Sequence, residues 1–281
     1  MKRLFACDLD GTLFNCLHTT DPFILHAIQN VLKSGNYFTI ATGRNMHKAQ
    51  IHKYFHDLPV FCVCMNGARI ITDQDEVIYE KWLDSKWIAE LIDQFPDIPF
   101  EFNSRNHTYV RFSKEEYKKY AYKPKWYIRL LRSILKADTT QDYIFNATKE
   151  EILKEDIFKI NFALSNSAKK ARLDAYLQKR KNEIINAPFV GTGFYELTDS
   201  SVNKGTALKK LADFLQLDYD FVNVYGDGMN DIAMLEMFEH SYVPDNGCAK
   251  AKEIGKYHLG KNMYYSVPRH MLKSIQSKER Q

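Results

Sequence analysis

Two carboxylates, Asp8 and Asp10, stand two residues apart at the end of the apolar run Leu4-Phe5-Ala6-Cys7. In an extended chain, residues i and i+2 project to the same side, so the pair faces one space. Gly11 permits a turn directly after them, ahead of Thr12. A carboxylate is a competent nucleophile toward phosphorus and gives an acyl phosphate. A second carboxyl group beside it can protonate a leaving alkoxide and later take a proton from water. Asp-x-Asp by itself is a common surface pattern. The apolar run before it and Gly-Thr after it turn the pattern toward chemistry.

A second acidic pair, Asp227 and Asp231, lies in Gly226-Asp227-Gly228-Met229-Asn230-Asp231, after the apolar run Phe221 to Tyr225. Asp227 has the chemistry to bind Mg²⁺, which takes one or two carboxylates and several waters. Asp231 is suited either to bind it or to orient Asp227 and a bound water. The plain alternative for these residues is helix capping. Four acids in two such turns, however, need a cation to share one pocket. Thr42-Gly43-Arg44 offers a hydroxyl and backbone N–H groups at an expected helix start, a setting that suits a phosphate oxygen. Lys204, at the start of another helix, brings an ammonium able to hold phosphate charge and restrain Asp8. Taken singly, Thr-Gly turns and surface lysines are ordinary.

The elements that must position these groups alternate. Residues 4–7, 37–41, 60–65 and 221–225 read as strands. Helical spacing marks residues 21–34, with Asp21 and Pro22 as its start and Gly35 as its stop, then a stretch ending near Phe55, residues 204–215 and residues 232–238. Polar residues cluster where strands end. This is the pattern of a parallel α/β sheet, which binds ligands beyond the carboxyl ends of its strands. Residues 68–83 read as a β-hairpin around Asp73-Gln74-Asp75-Glu76.

From 84 to 189 the repeat breaks. Strands are expected near 99–103, 108–112 and 158–164, a Lys/Tyr-rich helix near 114–136 and a helix at 167–181. The expected organisation is a Rossmann-like core in two parts, 1–83 and 190–281, with an α+β unit inserted at 84–189. That insert carries 20 Lys and Arg against 15 Asp and Glu, in a chain of net charge only +4, so the basic excess lies there. Tyr109 and Arg111 alternate with Val110 on a candidate strand that could face the core, and the plain alternative is a solvated basic face.

With 281 residues, 45% hydrophobic and 26% charged, the chain has the make-up of a globular protein of one large or two modest domains. A pI near 8.6 is too mild to point to nucleic acid. The five cysteines, Cys7, Cys16, Cys62, Cys64 and Cys248, fit no zinc spacing and no disulfide framework. Cys62 and Cys64 share one side of an apolar strand and read as small buried hydrophobes. A reducing, cytoplasmic setting is expected. No run is long enough for a membrane span.

Taken together, these motifs resemble the haloacid dehalogenase superfamily. Asp8-Leu9-Asp10-Gly11-Thr12-Leu13, Thr42-Gly43-Arg44, Lys204-Gly205 and Gly226-Asp227-Gly228-Met229-Asn230-Asp231 follow in its order. The insert between the second and third, with Asn66-Gly67-Ala68 before it, is similar to the Cof-type branch, whose cap is an α/β domain. The resemblance implies Asp8 as nucleophile and magnesium ligand, and Asp10 as general acid/base with its carbonyl on magnesium. It implies Asp227 as a further ligand supported by Asp231. Thr42, Gly43, Lys204, Asn230 and the Leu9 N–H would bind the phosphate. A Mg²⁺-dependent phosphatase acting on small phosphorylated metabolites such as sugar phosphates is the expected activity. Members that cleave carbon–halogen bonds lack the second acid. Two segments depart from the branch: Ser241 to Ala249, where Pro244 and Asp245 are unusual, and Lys261 to Arg269, which lacks Asp-Gly. A phosphomutase and a non-catalytic phosphate-binding module are the rival readings. The first would yield an isomeric sugar phosphate rather than free phosphate. The second would be signalled by loss of Asp8 or Asp10, and both are present.

Overall fold

A computed structural model describes residues 1–120, 142–164, 167–189 and 194–276. Its strands in chain order begin with β1 (Leu4–Cys7), β2 (Tyr37–Ala41), β3 (Phe61–Cys64), β4 (Arg69–Ile71) and β5 (Val77–Glu80). They continue with β6 (Glu101–Asn103), β7 (Thr108–Val110), β8 (Tyr143–Ile144), β9 (Lys159–Ala163), β10 (Ile184–Phe189) and β11 (Phe194–Asp199). They end with β12 (Val222–Tyr225), β13 (His240–Pro244) and β14 (Tyr257–Leu259). The chain divides into two compact units, one of Met1–Lys81 with the chain from Ser201 onward, the other Trp82–Ser200.

The first unit is built on an eight-stranded sheet in the order β14-β13-β12-β1-β2-β3-β4-β5. The strands from β14 to β3 are parallel, and the β4–β5 hairpin adds an antiparallel edge. Successive residues of the buried strands serve opposite faces. Phe5, Phe38, Ile40, Cys62 and Cys64 pack with Ile24, Ile28, Val31, Val267 and Met271. Leu4, Ala6, Val63, Val222 and Val224 pack with Leu208, Leu211, Met234 and Leu235. Both faces are covered, which is why these strands read as unbroken apolar runs. The helix Pro22–Lys33 starts as its sequence requires: the Asp21 carboxylate accepts from the Phe23 and Ile24 N–H groups at 3.0 and 3.1 Å.

β1 lies between β2 and β12, so three strand ends carrying Asp8, Thr42 and Asp227 stand side by side. The chain leaves β1 toward β2 on one side and returns to β12 on the other. That is the switch point at which an open α/β sheet forms its crevice.

The second unit holds a six-stranded sheet in the order β10-β11-β9-β6-β7-β8, antiparallel except for β7 with β8. One face, with Phe102, Ile160, Phe162 and Leu197, packs on Ile88 and Leu91 of the helix Ser85–Gln94 and on Leu173 and Leu177 of the helix Ser167–Gln178. Tyr109 belongs to this apolar core, because its place in β7 alternates with the polar side; Arg111 is exposed just beyond the strand. The two therefore differ: Tyr109 points into the apolar core of its own unit, and Arg111 lies on the surface. The return to the first unit comes later than residue 190, since β11 pairs with β9 in the second sheet. An alternating strand carries no mark of which sheet it joins. The expected helix near 114–136 is described only as Lys114–Tyr120; the rest of it lies outside the described residues. Among the described residues no helix is long and apolar enough to cross a membrane.

Candidate active site

The first turn after β1 brings Asp8 to the site while its own N–H stays in the sheet, donating to the Tyr225 carbonyl at 2.9 Å. Phe14 N–H then closes a wide turn onto the Leu9 carbonyl at 2.9 Å. Gly11 sits in this turn at φ +87°, and a Cβ there would collide with the Asp227 carboxylate. Only glycine meets both demands. The next residue ties the two acidic turns together, as the Thr12 hydroxyl donates to Asp227 Oδ1 at 2.6 Å.

Lys204 is fully buried, and its Nζ donates to Asp8 Oδ1 and Asp231 Oδ1, each at 2.6 Å. Asp231 Oδ2 accepts the N–H groups of Asp227 and Gly228 at 2.9 and 2.8 Å, which fixes the turn after β12. The carboxylates of Asp8, Asp227 and Asp231 each offer an oxygen within 4.8 Å of the others. Burial pushes the Asp8 carboxyl well above the usual carboxylate range, against the pull of Lys204. Burial, with the neighbouring Asp231 charge second, pushes Asp227 up to about 6. Hard oxygen donors crowded in this way, with one ammonium among three carboxylates, fit a divalent metal cation.

Asp10 does not join them. Its carboxylate turns to Arg44, accepting from Nε at 2.7 Å and Nη2 at 2.6 Å, and to His18 Nδ1 at 3.0 Å. Burial works upward on this group too, yet the hydrogen bonds from His18 and Arg44 hold it down at about 2. Arg44 is itself braced by the Tyr54 hydroxyl at 3.2 Å and by the Phe14 ring, 5.1 Å from its guanidinium carbon. Of the four acids expected in one pocket, three carboxylates meet and one is clamped beside them. Two residues two apart in an extended chain do start on one side, but Gly11 turns the chain and Arg44 captures the second acid.

Thr42 is buried, and its hydroxyl accepts from the Arg44 N–H at 3.1 Å. The helix after it begins only at Lys48, so Thr42 and Gly43 lie in a loop and not at a helix N-terminus. Lys204 does open its helix, capped by Asn203. Asn230 is half-buried, and its amide nitrogen donates to Asn66 Oδ1 at 3.0 Å. Leu9 is buried in the turn after Asp8. Arg44, His18 and Asn66 had been given no role. Arg44 and Asn66 each stand in a motif that carries the family resemblance, a usable signal for both; nothing in the spacing points to His18.

The model of the haloacid dehalogenase-like hydrolase family matches residues 5–269. The chain belongs to the haloacid dehalogenase-like hydrolases. A Buchnera aphidicola (subsp. Baizongia pistaciae) protein bearing a phosphatase name is 29% identical over 249 residues, 88% of this chain and 87% of that one. The HMP-PP phosphatase of Yersinia pseudotuberculosis serotype I is 26% identical over 255 residues, 90% of this chain and 87% of that one. In fold, a haloacid dehalogenase-like hydrolase from B. subtilis superposes with a TM-score of 0.81 at 18% identity, covering 96% of this chain and 98% of that one.

The Lys204 bridge makes this hydrolase's acidic centre sensitive to one cation. Breaking a buried pair by removing one partner costs roughly 3–5 kcal/mol, because the other charges stay buried. Lys204→Met is therefore expected to lower the Tm by about 10 °C at pH 8 in metal-free buffer. Folded Asp8 titrates above its unfolded value, so protonation relieves the loss and the deficit narrows toward pH 5. Melting curves at the two pH values check both points. An unchanged Tm at pH 8 would show that the bridge adds no stability.

Proposed function

We propose that this hydrolase is a phosphatase that cleaves small phosphate monoesters, such as sugar phosphates, through a phosphorylated Asp8. The observation that carries the reading is the buried Asp8 carboxylate, aimed by Lys204 and grouped with Asp227 and Asp231. An Asp8 oxygen attacks phosphorus, and the ester P–O bond breaks. The leaving alkoxide takes a proton from Asp10. Asp10 then accepts a proton from water as that water attacks the acyl phosphate, which frees inorganic phosphate and restores Asp8. Lys204, Thr42, Gly43, Asn230 and the Leu9 N–H bind the phosphoryl oxygens. Asp8, Asp227 and the Asp10 carbonyl, supported by Asp231, would hold Mg²⁺, which when bound supplies charge neutralisation for the phosphoryl group. To act as an acid, Asp10 must first loosen from Arg44, since a carboxyl held at about 2 is charged at neutral pH.

Residues 82–200, the second unit and wider than the expected 84–189, would serve as the cap that sets substrate choice. All four motifs lie outside them, and the basic excess inside them suits an anionic ligand. A phosphate-release screen over phosphorylated metabolites tests the whole reading, and the name of the Yersinia relative makes HMP-PP one compound to include. Release should require Mg²⁺, stop in EDTA and fail with Ca²⁺, whose looser coordination would misaim Asp8. Full activity in verified metal-free buffer would rule out the metal. In the same screen, a folded chain with a short Gly-Ser linker for Trp82–Ser200, which takes β11 out together with the sheet it pairs in, should lose the best substrate and keep more of its activity on an aryl phosphate. An unchanged substrate ranking would remove the cap from specificity.

A further inference from the structure

Directly after β3 the backbone enters the left-handed region at three residues in a row: Met65 at φ +50°, Asn66 at φ +59° and Gly67 at φ +103°. Two of these are not glycine. A side chain in this region is strained, asparagine least among ordinary residues, and such strain persists only where the surroundings over-determine it. Here they do. The Met65 N–H donates to the Arg44 carbonyl and the Asn66 N–H to the Thr42 carbonyl, each at 3.0 Å. Asn66 is 6% exposed, and its Oδ1 accepts from Asn230 Nδ2 at 3.0 Å. A Cβ on Gly67 would strike the carbonyl of Asn203, the residue that caps the Lys204 helix.

One short turn thus touches three separate loops, those that carry Thr42, Lys204 and Asn230. We infer that Asn66 is a positioning residue: its backbone N–H sets the height of Thr42 and its side-chain oxygen sets the rotation of the Asn230 amide. Together they hold in place two of the groups assigned to phosphate above. This rests on the reading above that Thr42 and Asn230 bind phosphate. Asn66 acts through the group common to all substrates, so its effect is the same whatever the leaving group.

The test uses Asn66→Gly, which suits the backbone and deletes the amide, and Asn66→Ala, which deletes the amide and adds strain. Losing one net hydrogen bond should raise the inhibition constant of inorganic phosphate about three- to tenfold in both. KM should rise by a like factor for an alkyl and an aryl phosphate. Asn66→Gly should melt within about 3 °C of the parent, whereas Asn66→Ala should melt lower. In Asn66→Gly/Asn230→Ala, the phosphate constant should match that of Asn230→Ala alone, because both remove the same contact. An unchanged phosphate constant, or effects that simply multiply, overturns the inference. So does failure of Asn66→Gly to fold, which would make the residue purely structural. Asp8→Asn in the same assay keeps the two questions apart. If it retains turnover the phosphatase mechanism falls, whereas a dead Asp8→Asn beside an unaffected Asn66→Gly removes only the role of Asn66.

Discussion

Asp8→Asn is expected to lower kcat by on the order of 10⁴-fold or more, while the protein melts within about 2 °C of the parent. The amide matches the carboxylate in shape and cannot attack phosphorus. The fold should tolerate it for an electrostatic reason. Burial already favours the neutral form of Asp8, so a neutral side chain removes a charge the interior resists. Lys204 keeps Asp231 as a partner at 2.6 Å. Aryl phosphate hydrolysis beside a melting curve measures both quantities. Activity within a few-fold of the parent would sink the nucleophile assignment, and a collapsed Tm would show Asp8 to be structural.

Asp10→Asn should separate the two half-reactions. An alkoxide leaving group needs a proton, so kcat/KM on an alkyl phosphate is expected to fall about 10²- to 10⁴-fold. Nitrophenolate needs none, so kcat/KM on 4-nitrophenyl phosphate should change by less than about tenfold. Hydrolysis of the acyl phosphate still lacks its base. The variant should therefore release a stoichiometric burst of nitrophenolate and then slow down, with phosphate trapped on the protein. Rapid-mixing absorbance and intact mass spectrometry read the burst and the added phosphoryl group. Equal losses on both substrates without a burst would make Asp10 a structural partner of Arg44 and no proton carrier.

Local signals carried the two acidic loops. An apolar run ending in Asp-x-Asp-Gly-Thr needs a buried strand and a turn, and β1 with Gly11 supplies them. Asp21-Pro22 and Gly35 bounded a helix because capping and left-handed stops act within a few residues. What could not be read depends on distant partners. Asp10 turns from Asp8 because Arg44, 34 residues on, takes both its oxygens. The Met65–Asn66 conformation is dictated by carbonyls in another loop. Only pairing with β9 assigns β11 to the second sheet.

The Lys204 ammonium has a consequence for how the protein is made. Some small metal-binding domains stay unfolded until the metal arrives, which ties folding to supply. Here the chain encodes a resident counter-ion for two of its three clustered acids. With that charge balanced from within, the polypeptide would reach its native state in a metal-poor cell and wait there intact. Under the metal-dependent mechanism proposed above, metal scarcity would then silence the enzyme without sending it to proteolysis, and recovery would need no new synthesis.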